Sequence, residues 1–328
     1  GFFINKFGNK KIMLTGMLGL SISGALSGIF QNNLTLYFAL FSLGIFYGFF
    51  SLSRHSFMTQ IVPSIYRGKA FSRFGGINRI GWFFGPVAGG YTASSLGIDI
   101  PFFFISVVAI FTAIIIFFSN EPEYEKNNGE DNDQSIGLKQ TIIENKKSFS
   151  IGGPGHFIMQ FLRQCRHVLI PIWAFSIGLE VEELGLIQSI SAAIDMSLFY
   201  PVGLIMDKFG RKWTSVPSII ILSISFIFLT YVDSFTGLML VGLLLGFANG
   251  LGSGAMLTLG SDLSPKTQPG SFLGIWRLFG WTGNSAGGPV SGAIAQTLGN
   301  SASALSVSMI GGIGVIIFSF LLPETLKE

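Results

Sequence analysis

Residues 203–213 read GLIMDKFGRKW, and residues 1–11 read GFFINKFGNKK. Aligned, Gly1 falls on Gly203 and Gly8 on Gly210, an offset of 202. Two further landmarks repeat near that spacing. GPVAGG at 85–90 answers GPVSGA at 288–293, with Pro86 on Pro289 at an offset of 203. Glu-Pro at 121–122 answers Leu-Pro at 322–323 at 201. Three landmarks at nearly one offset mark an internal duplication, so the chain is expected to be two related halves.

The material between the landmarks is membrane material. Of 328 residues, 49% are hydrophobic and 11% charged, against roughly 25% charged in an ordinary soluble domain. Gly (43) and Phe (34) are abundant, and Gly is commoner in membrane helices than in soluble ones. One cysteine, Cys165, excludes a disulfide scaffold. The pI near 9 has no basic patch on a soluble face behind it, so nucleic acid is not the expected partner.

Stretches long enough for a hydrocarbon core, about 20 residues, fall at 12–30, 34–58, 74–97, 100–119, 153–178, 184–206, 213–232, 235–260, 271–298 and 301–322. If the chain starts in the cytoplasm and alternates, 15 of the 20 basic residues, from Lys6 to Lys327, fall on the cytoplasmic side. The opposite loops carry no basic residue, but Asp99, Glu180, Glu182, Glu183 and Asp233. The expected fold is an all-α polytopic membrane protein of ten spans, four plus six, in the plasma (inner) membrane. Residues 1–119 would form an incomplete first bundle, 120–150 a cytoplasmic linker and 151–328 a six-helix bundle, with residue 1 and the C-terminus also cytoplasmic. Residues 136–149 are a solvated linker or a short helix on the membrane face. Two spans precede the motif in the second half and none in the first. The expectation is therefore that about 50 further residues, carrying two helices, stand upstream of Gly1.

These features resemble the major facilitator superfamily of secondary transporters, which has two six-helix bundles joined by a long cytoplasmic linker. Its signature G-x-x-x-D-R/K-x-G-R-R/K is similar to Gly203, Asp207, Lys208, Gly210, Arg211 and Lys212. The first copy keeps Gly1 and Gly8 but has Asn5 in place of the acid. The resemblance implies that these loops act as cytoplasmic gates, the acid latching the closed side; topology anchoring is the plainer role. Gly81, Gly85, Pro86, Gly89 and Gly90 match the family's antiporter-associated G-x-x-x-G-P-x-x-G-G, echoed by Gly288, Pro289 and Gly292. Physically this is a close-packing and hinge motif. The arginine common near the start of the family's fourth helix is absent, the region reading FALFSLG at 38–44.

Ionisable groups inside a span cost roughly 2.5–3.5 kcal/mol each on insertion scales, so each is a candidate site residue. At 100° per residue, His156, Gln160, Arg163 and His167 share one helical stripe, with Gln164 and Arg166 flanking it. On the next span Gln188, Ser191 and Asp195 stand at i, i+3 and i+7. Two arginines and one aspartate leave one cation in excess. The two readings are a structural pair, or a substrate and proton pathway, to which the deep Asn284 would add. Histidines ordinarily titrate near neutral pH; a hydrogen-bonded spectator role is the plainer one. Arg54, Arg79, Asp262 and Arg277 lie nearer the span ends, where a gate or snorkelling to the interface fits.

No phosphate-binding G-x-x-x-x-G-K-[ST] loop and no metal-spaced His, Glu or Cys set is present, so no enzyme activity, cofactor or metal is expected. The expectation is a monomeric secondary transporter working by alternating access, exporting a small organic molecule against protons. Uptake or exchange of an organic anion is the alternative within that class. Outside it stands a non-transporting sensor or assembly factor on the same scaffold.

Overall fold

The computed structural model describes residues 7–30, 32–62, 64–119, 138–265, 269–322 and 324–325, without side-chain detail at 59–60, 64–65, 67–73, 138–139 and 269–270. Gly1, Asn5 and residues 120–137 lie outside the described set.

The first half contributes α1 (Asn9–Ile29), α2 (Asn33–Ile61), α3 (Ser64–Leu96) and α4 (Ile100–Phe118). A short α5 (Leu138–Glu144) precedes α6 (Lys146–Ser176), α7 (Val181–Phe209), α8 (Lys212–Leu229), α9 (Phe235–Leu251), α10 (Ala255–Leu263), α11 (Pro269–Leu298) and α12 (Asn300–Ile316). A π-helical turn, Ile317–Leu321, ends the last helix. Local chemistry sets several starts. Asn32 Oδ1 accepts from the Thr35 N–H at 2.9 Å, and Glu180 and Glu183 form a reciprocal capping box at the head of α7.

Among the described residues, seven helical segments are long and apolar enough to cross a membrane: α1, Asn33–Met58, α4, α7, α8, Phe235–Leu263 and Asn300–Leu321. The other three expected spans are α3, α6 and α11, of 33, 31 and 30 residues. Their length suffices; their Arg, Gln and Gly content keeps them below the apolarity of the seven. The span expected at 235–260 is not one helix. It breaks at Gly252–Gly254, where Gly254 adopts φ +78°, a left-handed backbone that a side chain disfavours.

The duplication reappears in the backbone. Segment 33–61 answers 235–263 at an offset of 202. Gly8 (φ 83°) answers Gly210 (φ 105°), and Gly97 (φ 121°) answers Gly299 (φ 92°), at the same offset. The last pair, the hinge between the final two helices of each half, is a landmark that the sequence comparison missed.

Packing is small-in, large-out, as lipid solvation allows. α4 buries Ser106, Ala109 and Ala113 while Phe104, Val107, Phe111 and Phe118 are exposed. On α1, a Cβ added at Gly16 would stand 2.8 Å from the Phe50 amide nitrogen, and one at Gly24 2.6 Å from Ser106 Oγ. Glycines therefore seat α1 against α2 and α4. Contacts divide the chain into one compact unit of Gly1–Gly81 with Ala88–Asp131 and a second of Trp82–Val87 with Asn132–Glu328. The second has the larger core, including Met159, Leu162, Leu169, Phe226, Leu245 and Trp276.

Candidate functional site

Two glycine rows in the second unit position its charged residues. On α9, Gly242, Gly246 and Gly250 recur every fourth residue and face α7. A Cβ at Gly242 would meet Ile187 Cγ2 at 2.8 Å, one at Gly246 would overlap the Ser191 carbonyl oxygen, and one at Gly250 would stand 3.2 Å from Asp195 Cα. Asp195 is thus drawn against the last turn of α9. On α11, Gly280, Gly283 and Gly287 face α6: a Cβ there would overlap the His156 ring and the Phe157 carbonyl, or stand 2.7 Å from the Phe161 carbonyl. These rows, rather than Gly288 and Gly292, make the close approaches. Around Gly292 a Cβ would meet nothing within 4 Å, and the same holds at Gly81, Gly85 and Gly89. Among the described residues, no close approach is made at those four positions.

The arginines of α6 point to the broken helix. Arg163 Nη2 donates to the Asn249 carbonyl at 3.4 Å and lies 2.6 Å from where a Gly252 Cβ would be. Arg166 Nη1 donates to the Leu245 carbonyl, also at 3.4 Å. Carbonyls near a helix C-terminus carry partial negative charge, so a cation there is favourable. Both bonds are long beside the roughly 2.7–2.9 Å of a strong charge-assisted bond. Asp195 is Arg166's charged neighbour. Among the described residues no ion pair is seen between Arg166 and Asp195, the pairing that the structural reading would have, whereas Arg211 pairs with Asp262 at 2.8 Å. Arg166 Nε and Asp195 Oδ1 are buried without a hydrogen-bond partner. The arrangement is an open couple of opposite charges with unused hydrogen-bonding capacity.

The other candidates scatter. His156 is buried at 4% exposure, its Nδ1 donating to the Trp276 carbonyl at 3.0 Å and its ring 5.1 Å from the Trp276 ring. That places it in an aromatic core. His167 stands beside Trp82, ring centroids 5.7 Å apart. Gln160, Gln164 and Gln188 are half-buried, and Asn284 and Arg277 are exposed. Pro86 and Gly90 lie within α3. Next to Pro86, the Val87 N–H donates to Ser189 Oγ at 3.0 Å, a partner not foreseen from sequence. Arg54 lies between the Phe50 and Phe74 rings, 4.9 and 4.3 Å from their centroids. It is held by cation–π attraction in place of a carboxylate. Arg79 is half-buried.

The second motif loop is built around Arg211. Its Nε meets Asp262 Oδ2 at 2.8 Å and its Nη1 donates to the Met206 carbonyl at 2.8 Å. Glu324, not singled out in the sequence, accepts from the Arg211 and Lys212 backbone N–H groups at 2.9 and 3.0 Å. Gly210 is essential to this seat, because a Cβ there would overlap the Glu324 carboxylate. Asp207 is exposed and Gly203 half-buried.

Comparison with known proteins agrees with this architecture. An uncharacterised MFS-type transporter of Methanocaldococcus jannaschii is 24% identical over 338 residues, covering 99% of this chain and 84% of the relative. Multidrug resistance protein MdtG of Escherichia coli is 25% identical, covering 97% of this chain and 78% of its own length. Among solved structures, a bacterial homologue of the human lysosomal transporter Spinster superposes with a TM-score of 0.73 at 14% identity, over 97% of this chain and 83% of that one. The D-xylose–proton symporter gives 0.69 at 17%, over 99% and 83%. The family model of the Major Facilitator Superfamily matches residues 1–153 and 152–328, one match per half. The chain is a multi-pass membrane transporter of the Major Facilitator Superfamily.

Proposed function

We propose that the protein is a monomeric secondary transporter that exports a small organic molecule in exchange for protons. The observation that carries this reading is the open couple of Arg166 and Asp195, with Arg163 beside it, on consecutive helices of the second unit. A lone structural pair would close; an open one has capacity for a proton on Asp195 or a polar group on the arginines. Relatives named as multidrug resistance proteins support the outward direction, as does GPVAGG at 85–90. The two bundles, 1–119 and 151–328, alternate access about a midplane site, with Pro86 and Pro289 bending their helices and the 203–212 loop gating the cytoplasmic side. Residue 1, the 120–150 linker and the C-terminus lie in the cytoplasm and the spans in the plasma (inner) membrane, by the distribution of basic residues.

Proteoliposomes with an imposed pH gradient and a panel of lipophilic cations, organic anions and sugars test the proposal. Gradient-driven movement of a panel member is expected. If none moves under any gradient, the transport reading fails. The cationic excess favours one second reading, exchange of an organic anion; anion-for-anion countertransport without proton movement would select it.

A further inference from the structure

The starts and ends of three helices frame a pocket outside the charged cluster. It is lined by Lys147, Ser148, Ile151 and Gly152 of α6, Leu263 at the end of α10, and Leu322 just past the final helical turn. Lys147 and Ile151 are four residues apart, as are Ser148 and Gly152, so all four share one helical face. The face changes from ammonium and hydroxyl to apolar within one turn, about 5.4 Å. Leu263 and Leu322 supply further apolar wall.

A free inorganic anion has no use for an apolar floor, which excludes water and offers no donor. An amphiphile fits the gradient. The surroundings supply the rest. Lys146 is exposed beside Lys147, and Glu144, two residues earlier, is engaged by Gln140 Nε2 at 3.0 Å. Asp262 and Glu324, close to Leu263 and Leu322 in the chain, are taken up by Arg211 and by the Arg211 and Lys212 N–H groups. One turn earlier, α5 buries Thr141 and leaves Ile142 and Ile143 exposed at 46% and 60%. Two exposed isoleucines next to exposed lysines, where α6 begins, are the composition of an interfacial helix on an anionic bilayer.

We propose that this pocket binds an anionic phospholipid. The phosphate meets the Lys147 ammonium and the Ser148 hydroxyl, Lys146 adds charge, and the upper part of an acyl chain lies against Ile151, Leu263 and Leu322. Ile142 and Ile143 dip among neighbouring chains and hold α5 to the surface.

The test uses the full chain in nanodiscs of dioleoyl phosphatidylcholine with a minor fraction of dioleoyl phosphatidylglycerol, followed by release and native mass spectrometry of retained lipid. Phosphatidylglycerol should be enriched on the wild type. Lys147→Gln should lower its retention about five-fold, and Lys146→Gln by a similar or smaller factor, the size of one lysine's attraction to an anionic surface. Lys208→Gln removes an exposed lysine elsewhere and should leave retention unchanged. Leu263→Trp fills the apolar part without touching charge and should also lower retention. Equal retention of the two lipids overturns the proposal. So does an equal loss with Lys208→Gln, which would indicate diffuse surface charge. Displacement of the lipid by millimolar inorganic phosphate also overturns it, because the site would then be one for a soluble anion.

Discussion

At the scale of single residues, the open couple makes the most demanding claim. Asp195→Asn with Arg166→Gln removes both charges of the couple together, so neither of these two is left as a buried ion facing a neutral partner, and the net charge of the cluster is unchanged. The double variant is expected to insert at near-normal levels yet lose coupling to a pH gradient, measured as proton uptake per solute exported. Wild-type coupling in that variant would make the pair structural. Glycines give a second contrast. Gly246→Ala would press a methyl group onto the Ser191 carbonyl, an overpacking cost of about 1–3 kcal/mol visible as a lower thermal midpoint in detergent. Gly81→Ala meets open space and gains helix propensity, so its midpoint should hold or rise. The sequence made Arg163, Arg166 and Asp195 visible because charge in an apolar run is rare. It concealed their partners, since the Leu245 and Asn249 carbonyls belong to the backbone and carry no residue signature. His156 was misleading for a related reason. Its helical stripe is polar in sequence, but its partner is the Trp276 carbonyl, 120 residues away.

At the scale of elements, the break between α9 and α10 matters most. Apolar composition across 235–260 marks one span, and the structure has one at Phe235–Leu263; the Gly252-Ser253-Gly254 triplet was the available sign that the helix within it is interrupted. Its first-half counterpart, Phe50-Ser51-Leu52, lacks both glycines, and α2 runs unbroken from Asn33 to Ile61. Gly254→Ala is expected to destabilise the protein by about 1–2 kcal/mol, the penalty of a side chain in the left-handed region. The same change at Gly252, which has φ near –84°, would instead crowd the Arg163 guanidinium and Ser218 Oγ. Gly252→Ala should therefore impair transport more than its thermal midpoint, a split that solute flux and melting measured on one preparation would reveal.

At the scale of the whole chain, duplication was legible because glycines with positive φ cannot drift cheaply; Gly8 and Gly210 hold the same turn in both copies. The seat of Glu324 was not legible, because a backbone N–H pair at the head of α8 donates to any well-placed carboxylate. Glu324→Gln should weaken this tie and lower the thermal midpoint by a few degrees, while Gly210→Ala should do so more severely by displacing the carboxylate outright. The two glycine rows have a mechanical corollary. Asp195 travels with α7 and α9, whereas Arg163 and Arg166 travel with α6 and α11, and each couple of helices is in backbone contact. Across the seam run bonds of 3.4 Å. The two couples are like the scales of a vernier, each stiff along its length. A slip of one residue's rise, about 1.5 Å, would change the separation of Arg166 from Asp195, so a small movement of one couple would register as a change in charge.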